Sequence, residues 1–220
     1  MRKIKGLSLV FILLPGIVHA QVKDSSTHRT RNIAFTTPVS KNTTINGLAI
    51  GLMAEPWGKA ATLQVNGLNI ELAPFSALLG FPYALFGTVV APFQKDTTGP
   101  YIYDFVNKNI FTEEPTSFDT KIRGISISAG GLTRGASAHG LIINGLISWP
   151  EEVRGIEITG FMNMHYDFTG LMIAGVRNKT TTGKGVQIAL FNTCKEGKVV
   201  QFGLINRIGK RITPVLNFSL

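Results

Sequence analysis

Few side chains in this chain carry the chemistry of an active site, and their surroundings limit what they could do. Of the four histidines, His19 lies in an apolar N-terminal stretch and His28 in the polar stretch after it. His139 opens a repeat copy, and His165 stands in Met164-His165-Tyr166-Asp167, which reads as a bend. A His165/Asp167 pair could serve hydrolysis or hold a metal, but a histidine beside an aspartate in a turn is ordinarily just solvated. No His-x-x-x-His and no paired cysteines support a zinc site. The single cysteine, Cys194, sits between Thr193 and Lys195. The lysine would favour a thiolate, yet no second cysteine or nearby histidine accompanies it, so an inert thiol is expected. Lys184-Gly185 lacks the Walker spacing, and no Gly-x-Gly-x-x-Gly follows a strand. The sequence therefore predicts no enzyme, with no catalytic, cofactor-binding or metal-ligating residue.

The elements that would position these side chains come from an internal repeat. Glycines 140, 155, 170 and 185 are spaced by 15 residues, and Val199 takes the equivalent place 14 residues later. The frame also fits Gly124, and near the N-terminus Gly47 and Gly67, which are 20 apart. Each copy reads glycine, apolar, variable, apolar, small. The apolar pairs include Leu141/Ile143, Ile156/Ile158, Leu171/Ile173 and Val186/Ile188. A spacing of two puts both members on one face of a strand, and these eight residues are expected to form the repeat core. The residue between them (Ser126, Ile142, Glu157, Met172, Gln187, Gln201) is then expected to point outward. Glycine before and asparagine after each strand are expected as turn residues tolerant of positive φ.

The fold class predicted is all-β, a parallel β-solenoid-like stack of ~15-residue coils in which like side chains pile up about 4.8 Å apart. The alternative is an antiparallel meander or β-barrel, which also gives alternation. A turn signal on the same side of every copy favours stacked coils.

Residues 1–20 read as a signal peptide: Arg2, Lys3 and Lys5 precede an apolar run to Val18, with cleavage expected between Ala20 and Gln21. Losing those three cations takes the formal charge from +9 to +6. Residues 21–41 read as a flexible leader and 42–220 as one repeat domain. That domain is interrupted by an uncharged apolar insertion at 72–94 and a polar connection at 95–118. Pro82 and its neighbouring glycines and prolines argue against a continuous span. The insertion either covers the side or end of the solenoid or dips into a lipid leaflet. Its contact candidates are Phe75, Leu78, Leu79, Phe81, Tyr83, Leu85 and Phe86. With 16% charged residues and 24 glycines in 220, the composition excludes a disordered polar tail and a collagen.

Gly185-Val-Gln-Ile-Ala-Leu-Phe-Asn192 and Val199-Val-Gln-Phe-Gly-Leu-Ile-Asn206 resemble the units of an exported bacterial surface-repeat family. That family is built on Gly-Val-Gln-Ile-Gly-Leu-aromatic-Asn and closes like Pro214-Val-Leu-Asn-Phe218. The chain departs from it at Ala189 and Val199, which implies less regular last coils. The resemblance implies no catalytic residue. The expected function is a non-enzymatic envelope or surface protein offering a rigid structural or binding surface, exported to the periplasm, outer membrane or cell surface. The alternative is an outer-membrane β-barrel or barrel-associated protein. A glycan-active enzyme is a third reading, weakened because only one acid stands at the six middle positions from Ser126 to Gln201. Expected partners are envelope lipid, through the basic excess and the 72–94 segment, or another envelope protein. Nucleic acid and small-molecule cofactors are not expected.

Overall fold

The computed structural model describes residues 28–36, 38–57, 61–80, 82 and 117–219. The expected cleavage site at Ala20 and Gln21, most of the 72–94 and 95–118 segments, and the residues Phe81, Tyr83, Leu85 and Phe86 lie outside them.

Among the described residues eleven strands form one sheet: β1 (Arg29–Thr36), β2 (Thr43–Gly51), β3 (Leu63–Glu71), β4 (Thr120–Ser128), β5 (Ala136–Asn144), the two-residue β6 (Ile147–Ser148), β7 (Glu152–Thr159), β8 (Met162–Ala174), β9 (Arg177–Ile188), β10 (Phe191–Ile208) and β11 (Arg211–Phe218). Neighbours follow chain order, with β6 pairing β8 off the main path. Every pairing from β1 to β10 is parallel. The chain is therefore a β-solenoid of about nine coils, and the antiparallel meander and barrel are excluded. Repeat glycines stack in register, Gly47 on Gly67, Gly124, Gly140, Gly155, Gly170 and Gly185. The stretch read as a leader supplies β1, so the first strand among the described residues begins at Arg29, thirteen positions before the expected boundary at 42. Its frame, Ile33-Ala-Phe, lacks the glycine that marks every other copy but the one at Val199, and β1 slips register by one residue between Arg31 and Ile33.

Glycine is required where one coil bends directly over another. Gly170 has φ +131°, and a Cβ there would stand 2.0 Å from the carbonyl oxygen of Gly155. Backbone cannot rotate away as a side chain can, so the clash adds to the strain of a left-handed φ. Gly170→Ala should lower the unfolding free energy by about 2–3 kcal/mol, read as a drop in the denaturation midpoint. In the last coil Val199 replaces the stacked glycine and is buried. Gly197 supplies the positive φ instead, two residues earlier, over Gly183. The asparagines are not turn residues. Among the described residues only Ala73 and Val215 combine a side chain with positive φ.

The lumen is mixed. Towards the N-terminus it is filled by Ile45, Leu63, Val65, Ile122, Ala138, Ile142 and Val153, and further along by Phe168 and Met172. Towards the C-terminus it turns polar, and a ladder of asparagine amides runs along one corner. Asn163 Nδ2 donates to Asn178 Oδ1 (3.0 Å), Asn178 to Asn192 (3.0 Å) and Asn192 to Asn206 (2.8 Å). Further along the same lumen Gln201 Nε2 donates to Gln187 Oε1 at 2.7 Å. At that end β11 folds back antiparallel on β10. It carries Pro214, which lacks an N–H to offer a further strand, while exposed Lys210 and Arg211 discourage edge pairing.

Candidate binding surface

The alternation is as expected, but the sides are inverted. Glu157 is fully buried, whereas Ile156 and Ile158 on either side are 45% and 41% exposed. The same holds along the stack: Ala49, Asn69, Ser126, Ile142, Met172, Gln187 and Gln201 face the lumen at 1% exposure or less. Leu141, Ile143, Ile156, Ile158, Leu171, Ile173, Val186 and Ile188 are thus not the core but the outer face of the sheet. A period of two places side chains on a common face without saying which face is inward. Here the lumen takes polar groups where it offers them partners, Gln201 bonding Gln187 on the coil before it and Glu157 bonding His165.

Register turns the outward residues into two continuous lanes. The first is Ile33, Leu48, Leu68, Ile125, Leu141, Ile156, Leu171, Val186 and Val200. The second is Phe35, Ile50, Ile70, Ile127, Ile143, Ile158, Ile173, Ile188 and Phe202. Antiparallel β11 adds Phe218 beside Val200 and Leu216 beside Phe202. Ten strands at about 4.8 Å spacing and two lanes give a strip of roughly 43 Å by 14 Å, about 600 Å². That matches the upper end of the largest apolar patch on an ordinary monomer. Leu52, Leu72, Leu190 and Leu204 carry the exposed–buried alternation one step further.

One edge of the strip is basic. The residue before each repeat glycine stacks as Asn46, Asn66, Arg123, His139, Arg154, Thr169, Lys184 and Lys198, a lane with four fixed cations and no acid. Arg154 and His139 share Glu152, with Nε to Oε1 at 3.1 Å and Nε2 to Oε1 at 2.5 Å. Burial pushes the Glu152 carboxyl up, but His139, Arg154 and Ser137 outweigh it and hold it below its usual range. Among the described residues Arg123, Lys184 and Lys198 form no ion pair. Sequence reasoning missed this lane, although reading the residue before each glycine down the frame would have found it.

The residues weighed for chemistry fall elsewhere. His165 lies within β8, not in a bend, and is fully enclosed. Its Nε2 is 2.6 Å from Glu157 Oε2 and its Nδ1 is 2.8 Å from the Pro150 carbonyl. Asp167 instead accepts from Thr182 Oγ1 at 2.7 Å, so the two do not pair. Cys194 is buried with Sγ directed at the Glu196 carbonyl. Burial pushes its thiol up, the opposite of the activation Lys195 would suggest. Among the described residues no group of three His, Cys, Asp or Glu side chains could hold a metal ion. At the N-terminal end Glu55 and Glu71 line a shallow cleft with Met53, Ala54, Leu132 and Ala136. Burial, reinforced by Glu71, raises Glu55 to about 7. Glu71, also raised by burial, accepts from the Ala54 N–H at 2.5 Å.

Of the insertion's contact candidates, Phe75 and Leu78 are exposed on or beside the short helical turn Ser76–Gly80. That turn is tied to the solenoid by Ser76 Oγ donating to the Gly131 carbonyl at 2.8 Å. No helix among the described residues is long and apolar enough to cross a membrane.

Comparison with protein-family models, curated proteins and solved structures finds no match to this chain.

Proposed function

We propose that this is an exported, non-enzymatic repeat protein of the bacterial envelope whose solenoid acts as a rigid support for one interaction surface. The observation that carries this reading is a contrast in regularity. Inward middle positions run Ala49, Asn69, Ser126, Ile142, Glu157, Met172, Gln187, Gln201, a mixture of apolar, polar and charged. The outward second lane runs isoleucine from Ile50 to Ile188 without interruption. Folding alone would reward the reverse pattern, since an outward residue gains more from hydration than from exposure of hydrocarbon to water. The buried, internally satisfied acids and histidine support a structural rather than a catalytic use of the lumen. The N-terminal charge pattern supports export.

Ile127→Thr, Ile143→Thr and Ile158→Thr combined test the reading, because threonine keeps the β-branch that strands favour. The triple variant should retain the circular dichroism spectrum and unfold within a few degrees of the parent, while binding of an apolar dye falls severalfold. Unfolding of the variant would show that the lanes are core and would remove the surface. Fractionation of cells expressing the full chain should place it in the envelope, shortened by 20 residues.

A further inference from the structure

We infer that the outward face docks onto an anionic phospholipid surface, the two aliphatic lanes entering the acyl boundary and the basic lane meeting the head groups. This rests on the reading of that face as an interaction surface and names what it meets.

Three observations select lipid over a protein partner. The face is uniform: from Ile50 to Ile188 every second-lane side chain is isoleucine, repeated at the strand spacing, with phenylalanine only outside that run, at Phe35 and at Phe202 and Phe218. Protein interfaces concentrate their energy in aromatic and arginine anchors seated in pockets, whereas a flat aliphatic array suits hydrocarbon that conforms to it. Charge is complementary, since Arg123, Lys184 and Lys198, which form no ion pair among the described residues, run parallel to the lanes with no acid in their own lane, while Arg154 is shared with Glu152. Apolar area beside a row of cations is the combination that holds peripheral proteins on anionic leaflets. Area argues against a second copy. Stacking two faces would bury about 600 Å² per chain from the lanes, below the roughly 800 Å² per partner of a stable complex.

The experiment is co-sedimentation of the full chain with vesicles of phosphatidylcholine alone and of phosphatidylcholine mixed with phosphatidylglycerol. The chain should pellet with the mixed vesicles and bind the neutral ones about tenfold more weakly. Ile127→Glu with Ile158→Glu should abolish binding. Lys184→Glu with Lys198→Glu should weaken it about tenfold and flatten its salt dependence. Circular dichroism confirms folding, and the threonine variant replaces the glutamate pair if that pair does not fold.

A chain left in the supernatant with both vesicles, or glutamate variants that bind as well as the parent, would overturn the inference. So would a dimer in light scattering that Ile158→Glu converts to monomer, since a second copy would then own the face. An Ile158→Cys thiol that resists maleimide in the lipid-free monomer would show the face already covered. Cys194 is buried and serves as the unreactive internal control. If the threonine variant folds but no vesicle binds, the interaction surface stands and only its lipid partner falls.

Discussion

Truncating His165 to alanine is expected to lower the unfolding free energy by about 3–5 kcal/mol, the range for breaking a buried ion pair by removing one member. The carbonyl of Pro150 can only accept, so Nδ1 carries a hydrogen, and Nε2 then shares a proton with Glu157 Oε2 at 2.6 Å. Asn144 Nδ2 donates to the other carboxylate oxygen at 3.3 Å. Without the imidazole the buried Glu157 carboxyl loses its closest hydrogen-bond partner, and an unpartnered acid in the interior is costly. Replacing both residues with leucine should recover most of the loss, because a well-packed apolar pair avoids desolvating two ions. An additive double variant in denaturant titration would contradict the pairing.

The same pair sets a pH dependence. Burial pushes His165 down, but the charge and hydrogen bond of Glu157 and the Pro150 carbonyl outweigh it and raise it above its ordinary 6.5. A raised histidine contributes stability that is fully present below pH 6.5 and is lost as pH climbs through the folded value. Glu55 works in the same direction. Its folded value of about 7, against 4.5 ordinarily, means that the fold holds the proton more tightly and loses stability between those two values. The denaturation midpoint should therefore fall as pH rises from 4.5 through 7. His165→Leu with Glu157→Leu should flatten the part above 6.5, and Glu55→Gln should shrink the part below 7, leaving the share that Glu71, also raised by burial, contributes. A midpoint that rises over this interval would refute both assignments.

Asn178→Ala should be comparably damaging, at about 2–6 kcal/mol for two buried polar groups left without partners at about 1–3 kcal/mol each. Its Nδ2 donates to Asn192 Oδ1 and to the carbonyls of Met172 and Ile188, and its Oδ1 accepts from Asn163. The loss should be larger than for Asn66→Ala. Asn66 also bonds its neighbour one coil away, donating to Asn46 Oδ1 at 2.8 Å, but from the exposed side of the coil where water can replace the bond. Equal midpoints for the two variants would show that the buried ladder contributes no more than a surface amide pair.

Much of this architecture is legible in the chain itself. Glycines at intervals of 15 set the coil length, and the Gly-apolar-x-apolar frame sets strand, alternation and stacking of like residues. Both are local or periodic, so the residues state them directly. The start of the solenoid was less legible, because β1 joins through backbone pairing with β2 and carries no glycine of the frame. The candidate surface was legible as a list of residues but not as a surface. Alternation in Ile156-Glu157-Ile158 is symmetric under exchange of inside and outside, and hydrophobicity by itself votes for the wrong side. Only the closed coil decides. It turns Glu157 towards His165, eight residues away in sequence, and Asn178 towards asparagines one coil above and below. Amides that would be costly alone in the lumen become acceptable along the asparagine ladder and at Gln187 and Gln201, because stacking at strand spacing supplies a partner one coil away. The sequence by itself determined the repeat, the strand and its period. The tertiary structure decided which side of each strand meets the interior, since that depends on partners only the completed stack brings together.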